Sequence, residues 1–294
     1  HRFGVMQRSD LRNKGLKPHL LSMSATPIPR SLALTLYGDL DMSIINQLPS
    51  GRQEIKTRWI SPERREVAYN FVRSQVKLGR QSFIVCPLID ESDVIQARSV
   101  KAEYKRLSEE VYPDFNIGLL HGRMTAAAKE KAMKDFKGGQ IDILVSTPVI
   151  EVGIDVPNAT VMLIDGAERF GLAQLHQFRG RVGRGEHESF CLLVTEEDTG
   201  AARERVQIIE RVRDGFELAE ADLAQRGPGD YLGVRQSGIQ SFKIASLVDR
   251  DLIALSRKEA ILLLESDPQL LDGKNRFLRE AINDYQRTSL AEMS

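Results

Sequence analysis

The sequence predicts an α/β fold, a doubly wound parallel sheet flanked by helices, followed by a small, mainly helical module. Two observations predict it. Short apolar runs at residues 82–89, 116–120, 141–145, 161–164 and 190–194 alternate with helical stretches, and near-continuous apolar runs mark strands covered on both faces. After Val194 the alternation stops and only helical periodicity remains, which places the end of the sheet there.

Taken in order, residues 19–24 read as a short buried strand, which the two prolines of Ala25-Thr-Pro-Ile-Pro-Arg30 stop before a helix opens through Tyr37. A small hydroxyl cluster at a strand's carboxyl end, here Ser24 and Thr26, is a ligand position in open α/β sheets. Taken alone, Ser-Ala-Thr reads more readily as an ordinary strand-to-helix turn. Leu48-Pro-Ser-Gly-Arg52 is turn chemistry. It sets a linker at 48–55 between a first segment, 1–47, and a sheet domain, 56–195; a third segment covers 196–294.

Residues 55–60 alternate as a strand, and Ser61-Pro62-Glu63 caps a helix running to about Leu78. Beyond residue 120 come His121-Gly-Arg-Met124 and Thr125, which caps a helix with Met133 and Phe136 on its apolar positions. His121 reads as a core or turn histidine with no catalytic role. Beyond residue 145 come Ser146-Thr147-Pro148 and Glu151-Val-Gly-Ile-Asp-Val-Pro157. Thr147 offers a hydroxyl and a backbone N–H to a phosphate, Gly153 permits close backbone approach, and Asp155 can accept from a ribose hydroxyl or a neighbouring arginine. The same residues also read as a plain strand, turn and helix cap.

The densest signal is Gln174-Leu-His-Gln-Phe-Arg-Gly-Arg-Val-Gly-Arg-Gly185, with Arg179, Arg181 and Arg184 in one window that holds no acid. Guanidinium forks match phosphate oxygens and keep their charge when buried. Glycines at 180, 183 and 185 leave the backbone bare enough for the three arginines to converge on one anion. Gln177, Arg181 and Arg184 are four and three apart, which would put an amide and two forks on one helical face.

After the sheet, Thr195-Glu-Glu-Asp198 caps a charged helix carrying Arg203, Arg205, Arg211 and Arg213. Asp214-Gly215 breaks it, and residues 216–225 form a second helix with Phe216, Ala219 and Leu223 on one face, an αα-hairpin. The loop from Arg226 through Gln236 to Gly238 is glycine-rich. Its intervals are wrong for a dinucleotide fingerprint, and it follows a helix instead of a strand. Residues 252–264 form an amphipathic helix; from Asp272 the sequence says little.

With 294 residues there is room for about two domains. Forty-one basic and forty-one acidic residues cancel, so nucleic-acid contact would come from local clusters and not from an overall field. Cys86 and Cys191 sit in apolar runs without metal-ligand spacing, as buried thiols of a reducing compartment do. No apolar run reaches the roughly 20 residues of a membrane span, and residues 1–10 hold no signal-peptide core. A cytoplasmic monomer is expected.

Gln177-Phe-Arg-Gly-Arg-Val-Gly-Arg184 resembles the sixth motif of superfamily-two helicases and translocases, whose arginines reach across a cleft to a triphosphate on a neighbouring domain. Ser24-Ala25-Thr26 matches the third motif. The segment 147–157 lies about 20 to 30 residues ahead of the arginine window, as the fifth motif does before the sixth. HRFGV is similar to the residues that follow Asp-Glu-Gln in a DExH box, with His1 as its last letter. Translocases of the transcription-repair coupling type share most of these motifs. DGFELAEADLAQRGPGDYLGVRQSG instead favours the RecG family of bacterial ATP-dependent DNA helicases, whose carboxyl-terminal part the whole chain resembles.

The resemblance implies a RecA-like second helicase lobe at 56–195, a remnant of the first lobe at 1–47, and a translocation hairpin, loop and helical tail at 196–294. It implies an ATP- and Mg²⁺-dependent motor that regresses replication forks and migrates Holliday junctions, with branched DNA as substrate and a single-stranded-DNA-binding protein as partner. Arg181 and Arg184, with Gln177, would act at the terminal phosphate, and Gly153 and Asp155 would help bind nucleotide. Ser24, Thr26, Thr147, Arg205, Arg226 and Gln236 would contact DNA or couple hydrolysis to movement; from spacing alone Arg205 reads as an exposed helix arginine. No Gly-x-x-x-x-Gly-Lys-Ser/Thr occurs, since Gly273-Lys274 is followed by Asn275, and no carboxylate pair precedes His1. The chain alone is therefore expected to lack ATPase activity. The other expectation weighed is a helicase-derived nucleic-acid-binding module that never hydrolyses ATP.

Overall fold

The structure, a computed structural model, describes residues 54–87, 93–151, 155–226 and 250–292, with 19, 21, 23, 43–45 and 47 before them. At 93–99, 150, 151, 201, 225, 226, 250 and 285–292 it describes the backbone alone. One compact unit comprises 1–27 and 44–225, and a second comprises 28–43 and 226–294.

The first unit is built on six parallel strands: β1 (Ile55–Ile60), β2 (Gln81–Val85), β3 (Ile117–Leu120), β4 (Ile143–Ser146), β5 (Ala159–Ile164) and β6 (Ser189–Val194). Their order across the sheet is β1-β6-β5-β2-β4-β3. Every residue of the central strands β2, β4 and β5 is buried, which explains why their sequences are apolar without alternation. Edge strand β1 alternates instead.

Helices cover both faces. On one, α1 (Arg65–Lys77) and α2 (Asp93–Arg106) enclose a core that includes Tyr69, Val72, Leu107 and Tyr112 beneath the strands. On the other lie α3 (Ala126–Lys137), α4 (Leu172–Arg179), α5 (Gly200–Arg211) and α6 (Gly215–Arg226), around Phe83, Phe136, Phe178, Val182, Val206, Ile209 and Leu218. The hairpin α5–α6 thus shares the core of the sheet, and α5 packs along β1.

Element ends differ from the sequence expectation where capping chemistry decides them. The strand expected over 82–89 begins at Gln81 and stops at Val85: Cys86 still donates to Ser146 O (2.9 Å), but Pro87 has no N–H to give. Helix α5 is capped by Thr199, whose Oγ1 accepts from Ala202 N (3.3 Å), and not by 195–198. Asp214, expected as a breaker, is the cap of α6: its Oδ1 accepts from Phe216 N (2.7 Å) and Glu217 N (3.1 Å). On α6 the buried face is Leu218, Ala219, Asp222 and Leu223, while Phe216 is only half-buried.

In the second unit, α7 (Arg250–Ser266) matches the expected amphipathic segment and α8 (Arg276–Glu292) does not appear in the sequence reading. Its signals are Asp272, which accepts from Lys274 N (3.2 Å) at the preceding turn, and apolar residues at Leu278 and Ile282, four apart. Asp267 holds the connection together, accepting from Leu271 N (2.9 Å), Asp272 N (3.0 Å) and Asn275 Nδ2 (2.9 Å). Those hydrogen bonds, Asn275 first, keep its carboxyl below the usual range. Among the described residues no helix is long and apolar enough to cross a membrane.

Candidate functional site

Helix α4 is anchored by Leu172, Leu175 and Phe178, all buried, with Phe178 edge-on to Phe170 at 5.4 Å between ring centres. It ends at Arg179. Gly180 closes it, donating to His176 O (3.0 Å), and Gly183 follows with φ +74°, a left-handed turn that L side chains resist. The single helical face expected for Gln177, Arg181 and Arg184 therefore does not form. Gln177 lies in the last turn, while Arg181 and Arg184 lie in the loop beyond it on either side of Val182, which is fully buried.

That loop is held tightly. Arg184 folds back so that Nε and Nη2 both donate to Gly180 O (3.2 Å each), and its Nη1 lies 3.3 Å from Asp155 Oδ1. Gly185 lies against the segment that precedes β5: a Cβ there would fall 2.5 Å from Pro157 O. The Arg184–Asp155 pair is open to solvent, the carboxylate more so than the guanidinium. Exposed pairs of this kind stabilise by less than about 1 kcal/mol, so an arriving anion can displace Asp155 at little cost.

Arg179 does not join this group, which corrects the expectation that all three arginines converge. It is 6% exposed and turned into the core. Nη1 donates to Ile209 O (2.8 Å) and Val212 O (3.0 Å); Nη2 donates to Arg213 O (3.1 Å) and lies 2.9 Å from His176 Nδ1. Burial works against its charge and lowers its pKa below the ordinary arginine value. Arg205 on α5 is half-buried, not an exposed helix arginine: its Nη1 donates to Glu168 O (3.4 Å) in the short turn Ala167–Arg169 ahead of α4. Glu168 Oε1 in turn accepts from Glu196 N (2.9 Å), and Arg169 pairs with Glu196. Neither Glu168 nor the inward role of Arg179 was singled out from sequence, where charge and spacing alone do not distinguish inward from outward arginines.

The remaining predicted residues separate onto two edges of the sheet. Thr147 follows β4 at the carboxyl edge, 6% exposed, and its N–H already donates to Leu120 O (3.2 Å). Of the two groups expected to meet a phosphate, only the hydroxyl remains. His121 lies beside it at the end of β3, and burial, then Lys101, Lys129 and Arg123, pull its pKa down. Asp155 and Arg184 instead meet near the start of β5, a strand length away, on the order of 15–20 Å. Ser24, Thr26, Gly153 and Gln236 lie outside the described residues, and for Arg226 only the backbone is described.

The Arg181–Arg184 loop fits one side of a triphosphate site, since the Arg184–Asp155 pair is open to solvent and an anion can reach that guanidinium. It does not make a complete one: no Gly-x-x-x-x-Gly-Lys-Ser/Thr loop is present in the chain to cradle phosphates. Among the described residues no cluster of three or more His, Cys, Asp or Glu side chains could hold a metal ion.

Comparison with known proteins places this geometry. Residues 63–186 match the helicase conserved C-terminal domain, and residues 212–293 match domain 3, C-terminal, of the ATP-dependent DNA helicase RecG. The chain is 54% identical over 271 residues to ATP-dependent DNA helicase RecG of Synechocystis sp., covering 92% of this chain and 33% of that protein. It is 44% identical over 295 residues to RecG of Bacillus subtilis, covering 98% of this chain and 43% of that protein. A solved structure of RecG bound to a three-way DNA junction superposes with a TM-score of 0.67 at 48% identity, over 86% of this chain and 32% of that one. The chain therefore spans between a third and a half of the length of the curated relatives it matches. Its six-stranded sheet is a RecA-like helicase lobe, and the chain belongs to the RecG family.

Proposed function

We propose that this chain is the second motor lobe and the translocation module of an ATP-dependent DNA helicase. The full protein would act on branched DNA, regressing stalled replication forks and migrating Holliday junctions in recombination and repair. Residues 1–47 would belong to the first lobe, 48–55 to the linker, 56–195 to the second lobe, and 196–294 to the part that engages DNA. The observation that carries this reading is the Arg184 loop. Its guanidinium is held by Gly180 O and by a displaceable Asp155, on a chain that lacks a phosphate-binding loop of its own.

ATP with Mg²⁺, bound chiefly by the first lobe, would supply the phosphoryl transfer. On closure of the two lobes, Arg184 leaves Asp155 for the terminal phosphate and Arg181 joins it, stabilising charge on the transferring group. Gln177, one turn before Arg181, orients the approach, and Gly153 lets the neighbouring backbone come close. An arginine supplied in this way is worth roughly 10³ to 10⁵ in rate. Thr147, Ser24 and Thr26 would contact DNA or couple hydrolysis to movement. Arg205, Arg226 and Gln236 belong to the hairpin and loop that turn closure into movement along the duplex. A single-stranded-DNA-binding protein is the partner this activity would meet at forks.

The test is Arg184→Ala in the full-length protein. DNA-stimulated ATP hydrolysis should be abolished while junction binding stays within a few-fold of wild type, and normal turnover would remove the reading. The 294-residue chain alone should hydrolyse no ATP.

A further inference from the structure

Strands β3 and β4 pair side by side, Leu120 against Ser146, so the residues that follow them, His121 and Thr147, emerge together at the carboxyl edge of the sheet. Both are buried, each 6% exposed. The backbone of His121 is pinned: its N–H donates to Met124 Sδ (3.4 Å), its carbonyl accepts from Met124 N (3.2 Å), and next to it Thr147 N donates to Leu120 O (3.2 Å). The imidazole is not. Its Nδ1 is buried with no hydrogen-bond partner, a state that native structures avoid unless a ligand or water completes it.

The charges around the ring have one sign. Lys101 from α2, Lys129 from α3 and Arg123 from the turn between β3 and α3 are the charged groups that act on it among the described residues. Other cations of the same two helices are answered by acids, Lys105 by Glu109, Arg106 by Glu103 and Lys131 by Asp135. Among the described residues no carboxylate pairs with Lys101, Arg123 or Lys129; Lys129 Nζ instead donates to Gly122 O (2.6 Å), which holds its charge at the turn. The amino end of α3, with its partial positive charge, opens at Thr125 in the same turn. Three cations, a helix end, a hydroxyl and an imidazole with an unused nitrogen, and no acid among them, fit a phosphodiester.

The ring's ionisation follows from these neighbours. Burial, then the three cations, lowers its pKa, so the free ring is uncharged at pH 7. A phosphate placed among the cations cancels their repulsion and offers the protonated ring an acceptor, and both effects favour imidazolium. Binding therefore takes up a proton in the pH window between the free pKa and the higher bound one. Affinity rises as pH falls through that window and levels off below it.

We propose that His121, with Lys101, Arg123 and Lys129, forms a DNA-backbone phosphate site beside Thr147 in which the imidazole takes up a proton as the phosphate arrives. The inference rests on the helicase reading above and deepens it, adding a proton-linked contact to the DNA-binding residues proposed there.

The experiment compares the full-length protein with His121→Gln, which keeps a hydrogen-bonding side chain that does not titrate, on blunt duplex DNA at constant ionic strength. Thermal melting checks folding. Affinity is measured by fluorescence anisotropy between pH 6 and pH 8, and proton uptake by calorimetry at pH 7 in two buffers of different ionisation enthalpy. Wild type should bind about tenfold more tightly at pH 6 than at pH 8 and take up on the order of half a proton, while His121→Gln should vary by about twofold or less and take up close to none. No proton uptake by wild type overturns the proposal, as does the same pH dependence in the variant, or uptake elicited by ATP and not by duplex. Should His121→Gln fail to fold, His121→Asn decides by the same two readings. Failure of the wild-type protein to bind duplex at any pH would instead sink the helicase reading, so the two failures are distinguishable.

Discussion

Replacing Gly185 by alanine tests whether the arginine loop is seated by backbone contact with the segment before β5. The added Cβ would lie 2.5 Å from Pro157 O and 3.2 Å from Pro157 C. Carbon–oxygen contacts in proteins settle at about 3.3 Å or more, so the two backbones must part by about 0.8 Å. Neither partner is a flexible side-chain end that could swing aside. Forcing a methyl group into a filled position costs about 1–3 kcal/mol, which for a domain of this size lowers Tm by several degrees, at about 2–4 °C per kcal/mol. Arg184 is the adjacent residue, and its 3.3 Å contact to Asp155 is already long; parting the two backbones breaks it. A misplacement of this order in a catalytic group costs up to about 10²-fold in turnover. The assays are thermal melting of the 294-residue chain and DNA-stimulated ATP hydrolysis by the full-length protein. Gly122→Ala serves as control, since nothing lies within 4 Å of its Cβ position. Melting and turnover unchanged in Gly185→Ala would refute the seating of the loop against Pro157.

Arg65→Met should cost about 3 kcal/mol at neutral pH, because Arg65 Nη1 lies 2.8 Å from Asp165 Oδ2 and its removal strands a buried carboxylate. Burial already raises the pKa of Asp165 and Arg65 pulls it back, so the variant's pKa rises further. An acid with a raised native pKa penalises folding most above that pKa, and the deficit should shrink as pH falls towards the unfolded-state value. An equal Tm deficit at pH 5 and pH 8 would contradict this. Cys86 and Cys191 are buried, and burial pushes both thiols up, Cys191 to about 12. A thiol reagent at pH 8 should therefore label neither in the native chain and both after denaturation; rapid native labelling would show the strands to be open.

The sheet was legible because a strand buried on both faces leaves almost no choice of residue. QSFIV, ILVS and ATVMLI are each buried at every position, and that demand is visible one residue at a time. Capping was legible only in part. Thr125 was correctly read, and its Oγ1 accepts from Ala128 N (3.3 Å). Asp214 was taken to end one helix when its carboxylate begins the next, because Asp-Gly serves both purposes and only the fold chooses. The helix over 276–292 is not legible in the sequence because its apolar positions are sparse among charges, and 276–284 are mostly exposed.

The arginine window shows where reading charge along a chain stops working. Counting net charge treats Arg179, Arg181 and Arg184 alike, and helical spacing groups the last two with Gln177. Both readings assume that the helix continues through two glycines. Gly180 and Gly183 end it instead, and once the helix stops, side-chain direction is set by what is buried. Val182 goes into the core and Arg184 folds back onto Gly180 O beside Asp155, while Arg179, still helical, points back into the unit towards the end of α5. The three arginines therefore divide between two tasks that the sequence writes with one letter. Two occupy the loop that can meet an anion, and the third is bound to backbone carbonyls of the hairpin.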